Sequence, residues 1–354
     1  MFLFGPPNVE KMKARRDVKG LIKALGYEDE NIRKAAIKAL SEIGSPAVES
    51  LIAALREGTP LACAGAVLVL GEIGDAHAVD SLINVVKNEH EEESVRRRAI
   101  EALRKNSDSR TIDVLIEMLD DFRVRDAAVT TLIARGDKRA VTRIIEVIKK
   151  EERISVVAHA KVLAAFRDER AIRPLIQVLT SQFRPIDAES RRAIADALSA
   201  IGAPAVEPLI ALLDSSNPDH REAVIMALGN IRDLRVEEAL IVRFRDEADL
   251  RRKTMIAEVL GNYDDPRIVD LLVEQLQKLL RSRKTAWARK IIAHSLVKIY
   301  QRAQIPPEVM SKILSHRRAI INSHSDLHQD KSYSDFSHLD KHSDNGGIGV
   351  NFPL

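Results

Sequence analysis

The residues best suited to chemistry lie near the end of the chain, where histidine and aspartate recur as four His-x-Asp units. They are His324-Ser-Asp326, His328-Gln-Asp330, His338-Leu-Asp340 and His342-Ser-Asp344, with Ser334-Asp335 close to a degenerate fifth. Neutral imidazole and carboxylate form a ligand set for zinc, nickel or copper, and several units on one flexible strand could wrap a single ion. No cysteine joins them, so the expected affinity is modest. A spacer that changes charge near neutral pH through its imidazoles is the alternative. Low hydrophobicity and Ser, Asp and His enrichment predict disorder over 322–354. The chain then turns apolar in Gly346-Gly-Ile-Gly-Val-Asn-Phe-Pro-Leu354, as a docking peptide or as a segment that folds back on the rest of the protein.

Two sets of basic residues come next. Between Gln277 and Ala319 eleven Lys and Arg, among them Arg281, Arg283, Lys284 and Arg289, face a single acid, Glu308. In a chain otherwise balanced, with 55 basic against 52 acidic residues and a net charge of +3, this stretch is an acidic-partner surface or a solvated capping face. RNA, DNA or anionic lipid would find a counter-charge here, although Trp287 and Tyr300 give base stacking little to work with. The second set is a row of arginines at regular intervals: Arg33, Arg96 to Arg98, Arg123, Arg125, Arg191, Arg192, Arg221, Arg251, Arg252 and Arg289. Guanidinium groups in a row could grip carboxylates or phosphates of a partner. Acidic neighbours (Asp29, Glu93, Asp126, Glu189, Asp219, Asp249) offer the other use, an internal ion-pair ladder.

Other chemistry is poorly provided for. No glycine-rich phosphate loop, nucleophile elbow or zinc-protease helix occurs, and His77, His159, His220 and His294 share no common position. A single cysteine, Cys63, fits a reducing compartment. The apolar start Met1-Phe-Leu-Phe4 is broken at once by Gly5-Pro6-Pro7, so neither a signal peptide nor a membrane span is expected, and a cytoplasmic location is. The composition is 45% hydrophobic, 4% aromatic and 30% charged, a mixture that favours helices packed through small and aliphatic side chains.

The elements that must carry these residues emerge from self-similarity. Nine segments of 27 to 36 residues (18–44, 45–74, 75–107, 108–136, 137–167, 168–202, 203–232, 233–264 and 265–300) each open on one phrase and close on another. The opening phrase, as in Ala78-Val-Asp-Ser-Leu-Ile83 or Ala205-Val-Glu-Pro-Leu-Ile210, spaces apolar residues by three and four and predicts a helix A with one buried face. A polar linker follows; in Asp214-Ser-Ser-Asn-Pro218, Asn217 can cap and Pro218 can take the first helical turn. The closing phrase, Arg33-Lys-Ala-Ala-Ile-Lys-Ala-Leu40 or Arg221-Glu-Ala-Val-Ile-Met-Ala-Leu228, predicts a helix B whose alanines allow close neighbours. Gly44, Gly74, Gly136 and Gly202 stand where a helix ends in left-handed geometry.

These phrases resemble the HEAT repeats of the phycobilin-lyase-like subfamily. The resemblance covers residues 18 to about 300 and implies an all-α fold, a right-handed α-solenoid of about nine HEAT-type helix pairs. The expected organisation is an N-terminal cap over 1–17, the solenoid over 18–300, a capping helix over 301–321 and the tail over 322–354. The function it implies is a scaffold that binds a protein partner through a concave groove. The alternative is a bilin lyase or chaperone-like subunit, which would hold a bilin and a phycobiliprotein. The iron-binding HEAT enzyme deoxyhypusine hydroxylase needs paired His-Glu motifs on successive repeats, and here only His90-Glu91 occurs.

Two repeats depart from the pattern. Repeat two replaces the charged phrase by Leu61-Ala-Cys-Ala-Gly-Ala-Val-Leu-Val-Leu70, and repeat five carries Ile154-Ser-Val-Val-Ala-His159. Each is either an apolar contact strip or deeper core. The expected partner-binding residues are therefore Leu61, Leu68, Val156 and Val157 together with Arg97, Arg192, Arg251, Arg281, Arg283, Lys284 and Arg289. No cofactor is expected, apart from weak zinc or nickel at the tail and bilin under the alternative reading.

Overall fold

The computed structural model describes residues 7–106, 108–150, 154–181, 186–279, 285–301 and 307. The capping helix expected over 301–321, the His/Asp tail, Met1 to Phe4 and the basic residues Arg281, Arg283 and Lys284 lie outside the described residues, save Gln301 and Pro307. Among the described residues every regular element is helical.

The chain forms two compact units, residues 1–231 and 232–354. In the first, a short helix α1 (Val9–Ala14) precedes seven helix pairs. They are α2 (Val18–Leu25) with α3 (Glu30–Ile43), α4 (Val48–Glu57) with α5 (Pro60–Ile73), α6 (Val79–Lys87) with α7 (Glu93–Ala102), and α8 (Ser109–Glu117) with α9 (Arg125–Arg135). α10 (Arg139–Lys150) with α11 (Val156–Phe166), α12 (Ile172–Thr180) with α13 (Ala188–Ile201), and α14 (Val206–Ile210) with α15 (Pro218–Gly229) follow. The second unit holds α16 (Leu234–Asp246) with α17 (Leu250–Leu260) and α18 (Pro266–Leu279) with α19 (Ala286–Tyr300). These nine pairs coincide with the nine sequence repeats.

Within each unit the helices stack in register. Each A helix packs on the B helix of its own pair, and B helices pack on the next B helix, as in α3–α5–α7–α9–α11–α13–α15 and α17–α19. No pair covers its own apolar face, so the core is continuous from repeat to repeat. Alanine at the contacts (Ala36, Ala39, Ala66, Ala99, Ala128, Ala160, Ala197, Ala227) keeps the B helices close, and all eight are buried. Gly44, Gly74, Gly136 and Gly202 have φ of 74°, 68°, 65° and 83°, a region open to glycine at little cost. Asn217 accepts the Asp219 N–H at 2.9 Å, with Pro218 at the first helical position.

A second device recurs where the chain enters helix A. In Asp108-x-Arg110, Asp137-x-Arg139, Asp168-x-Arg170, Asp233-x-Arg235 and Asp265-x-Arg267, the aspartate accepts the backbone N–H two residues on. The same carboxylate receives the fork of that arginine, at 2.6–2.7 Å in each case. One side chain thus caps the orphan N–H groups and is itself neutralised. Cross-links to the preceding repeat extend the series: Arg110–Asp80 at 2.6 Å, Arg143–Asp113 at 2.8 Å and Arg267–Glu238 at 2.7 Å.

The arginine beside each aspartate, through its side chain and then its N–H, holds Asp108, Asp137, Asp168 and Asp265 below the usual carboxylate range, and Asp233 at about 2. A depressed folded-state value adds stability that is complete above the unfolded value, near 4, and is lost as pH falls through the folded one. Stability is therefore expected to fall steadily from about pH 5 to pH 2. Urea midpoints recorded across that window, with Asp233→Asn as a variant of shallower slope, check this.

Candidate functional site

The arginine row occupies a particular position. At or near the start of the successive B helices, the fourth residue after the capping side chain or cap position is Arg33, Cys63, Arg96, Arg125, His159, Arg191, Arg221, Lys253 and Arg289. For α9 the count runs from Asp121, whose side chain accepts the Arg123 N–H. From there the guanidinium turns back to backbone carbonyls in the last turn of helix A or in the linker between helix A and helix B. Arg33 donates to Tyr27 O and Glu28 O at 2.7 and 2.6 Å, Arg96 to Val86 O at 2.8 Å and Arg125 to Leu119 O at 2.8 Å. Arg191 donates to Ile186 O at 2.9 Å and Arg221 to Ser215 O at 2.5 Å. Carbonyls at a helix end or in a linker lack intrahelical partners, so each clamp satisfies groups that would otherwise be left to water.

This corrects one expected use of the row. These inward guanidinium groups are not available to grip a partner. Ion pairs with the acidic neighbours also form, at Arg97–Glu93 (3.7 Å), Arg191–Asp219 (3.3 Å) and Arg252–Asp249 (3.7 Å), beside the five carbonyl clamps. Arg97, Arg192 and Arg251, one or two residues from the clamp position, are exposed, and Arg289 is half-buried.

The two departing repeats lose the clamp in different ways. In repeat two, Cys63 points its thiol at Leu55 O, 3.9 Å away, and α5 is buried from Ala62 to Val67 and again at Val69 and Leu70. Its apolar phrase is core, because α2, α3, α4 and α7 all pack against it. Only Leu61, 44% exposed, and half-buried Leu68 reach the surface. Burial and the Glu91 carboxylate push the Cys63 thiol up to about 11, so it is an inert packing residue.

Repeat five is different. His159 is fully buried, its Nδ1 2.9 Å from Ser155 O and 4.0 Å from the Asp120 carboxylate. Asp120 also accepts the Ser155 N–H at 2.6 Å, tying the start of α11 to the preceding repeat. An imidazole is shorter than the guanidinium it replaces. Beside it lies a cleft of about 570 Å³ between the starts of α9, α11 and α13. Val129, Ile154, Val157 and Ala158 line it with apolar surface, and Asp120, Asp126, Asp187 and Glu189 bring carboxylates, against Arg125 and Lys161. Val157 is half-buried; Val156 lies in the core at 8% exposure, so of the two expected contact valines Val157 presents the more surface. The sequence departure marked this place, but the acids on the flanking repeats carried no signal of convergence.

Metal chemistry finds no site among the described residues, where no three His, Cys, Asp or Glu side chains converge. No single helix among them is long and apolar enough to cross a membrane.

Comparison with known proteins agrees with this architecture. No curated protein matches the chain. Among solved structures, a mutant of Kap121p is 14% identical with a TM-score of 0.57, covering 91% of this chain and 40% of that one. Kap95p, from a study of its binding to RanGDP, is 12% identical with a TM-score of 0.56, covering 91% and 49%. The chain thus spans half or less of these two proteins, and the likeness is one of fold. The phycocyanin lyase pair CpcE and CpcF of Nostoc sp. PCC7120 is 20% identical over 79% of this chain and 94% of that one, at a TM-score of only 0.30. The family described as HEAT repeats matches residues 9–62, 48–132 and 184–261, more than half of the sequence. With its paired helices stacked in register, the chain belongs to the HEAT-repeat family.

Proposed function

We propose that this protein is a scaffold that holds a protein partner, and that the cleft between the starts of α9, α11 and α13 is where it does so. The observation that carries this reading is the coincidence of two features in repeat five. The repeat gives up its arginine clamp for a buried histidine, and an open cleft lined by apolar side chains and carboxylates sits at that place. Half-buried apolar side chains in a concave, polar-rimmed surface are what a partner segment needs to exclude water. The fold supports the same reading, since stacked helix pairs offer long surfaces rather than a closed reaction chamber.

The test compares capture by the wild-type chain with capture by Val157→Glu, which places a charge in the cleft without entering the core. A partner retained by wild type and lost by a folded Val157→Glu is the expected outcome. A partner set unchanged by the substitution, with native circular dichroism, would place binding elsewhere.

A further inference from the structure

We infer that the occupant of this cleft is a polypeptide segment that carries lysine or arginine beside aliphatic residues. The inference rests on the scaffold reading above and specifies the chemistry of its partner. Over the linkers between helices A and B, the sequence of the first unit is rich in both signs of charge. Because the clamp arginines fold inward onto carbonyls, the acids of the same linkers and of the first turns of helix B are left facing outward; Glu28, Glu89, Glu92, Asp120, Asp126 and Glu189 are all exposed. A nearly balanced sequence therefore presents an acidic edge.

The cleft concentrates that imbalance beside apolar side chains. Among the described residues that line it there are two cations, and Arg125 is already bonded to Leu119 O and Asp120 O at 2.8 and 3.4 Å. Of these described cations Lys161 is the one that stands exposed beside the four carboxylates. Asp126 and Glu189 take part in no ion pair among the described residues; Asp120 accepts the Ser155 N–H at 2.6 Å, and Asp187 accepts the Ser190 N–H at 2.7 Å and the Ser190 hydroxyl. A lysine or arginine side chain suits both parts of the site. Its methylene stem packs along Val129, Ile154 and Val157 while its cationic head reaches the carboxylates at the rim. A nucleic acid is disfavoured by the same charges, since phosphate would face four carboxylates.

The experiment uses the full chain and fluorescein-labelled peptides of about twelve residues, one alternating Lys with Leu, one Glu with Leu and one of Gly and Ser. The Lys/Leu peptide is expected to bind, with affinity falling as salt rises, and the other two to bind at least tenfold more weakly. Asp126→Lys with Glu189→Lys should cost tenfold or more, whereas Glu101→Lys, an exposed acid outside the cleft, should cost less than twofold. Equal binding of the Glu/Leu peptide, or equal loss from Glu101→Lys and from the cleft pair, would overturn the inference. If Val157→Glu abolishes partner capture while the charge reversals leave capture intact, the scaffold reading stands and the cationic partner does not. If Val157→Glu changes neither capture nor peptide binding, both fall.

Discussion

Replacing Arg96 by methionine is expected to destabilise the protein by about 3 kcal/mol, the range for breaking a buried ion pair from one side. Arg96 is 1% exposed, the most deeply buried of the clamp arginines. Its Nε donates to Val86 O at 2.8 Å and its Nη2 to Asp121 at 2.7 Å, joining the end of α6 to the start of α9 in the next repeat. Methionine would fill much of the volume but leave the Val86 carbonyl without this donor and the Asp121 carboxylate without its guanidinium partner. Burial raises the Asp121 carboxyl, and the Arg123 N–H and the Arg96 guanidinium more than offset this, holding it below its usual range. Arg96→Lys should restore less than half of the loss, because one ammonium cannot reproduce the divergent fork. Arg97→Ala, next door and exposed, should stay within about 0.5 kcal/mol of wild type. Urea denaturation followed by helical circular dichroism measures all three; similar midpoints for Arg96→Met and Arg97→Ala would refute the clamp.

The second large effect is expected at Gly71, in the last turn of α5. A Cβ there would lie 2.7 Å from the Ala102 Cβ and 2.8 Å from its Cα, so the obstacle includes the backbone at the end of α7. Gly71→Val forces the two B helices apart and should cost about 3 kcal/mol, the upper end for overpacking. Gly71→Ala gains up to about 1 kcal/mol of helix propensity and still meets the same atoms, so a net loss is expected. Gly65 is the useful contrast. Its Cβ would approach only the Leu25 side chain, at 3.1 Å, which can shift, and Gly65→Ala should change stability by under about 1 kcal/mol. Thermal unfolding of the three variants decides; a Gly71→Val protein as stable as wild type would show that the repeats slide freely.

Local chemistry accounts for what is legible in the amino-acid sequence. Helix periodicity, the Asn217-Pro218 start and the four glycines at helix ends depend on neighbours within a few residues, and all appear in the fold where the repeat phrases put them. The Asp-x-Arg caps are equally local and recur at the repeat spacing, yet the sequence reading passes over them. An aspartate two residues from an arginine looks like an ordinary solvated pair until the start of helix A is fixed beside it. The contrast between repeats two and five has no local signal at all. Both read as apolar interruptions of a charged phrase, yet α5 is enclosed by four helices, while the start of α11 borders an open cleft.

What the sequence determined by itself is the helical array, its nine-pair count and the places where the pattern breaks, since these follow from periodicity and capping within each repeat. What only the tertiary structure decided is the direction in which the charges face. A guanidinium satisfied by carbonyls across the helix A to helix B turn disappears from the surface, and its acidic neighbours do not. Formal charge counts residues wherever they point, whereas a partner meets only the groups left in solvent, and that selection depends on backbone carbonyls brought within reach by packing.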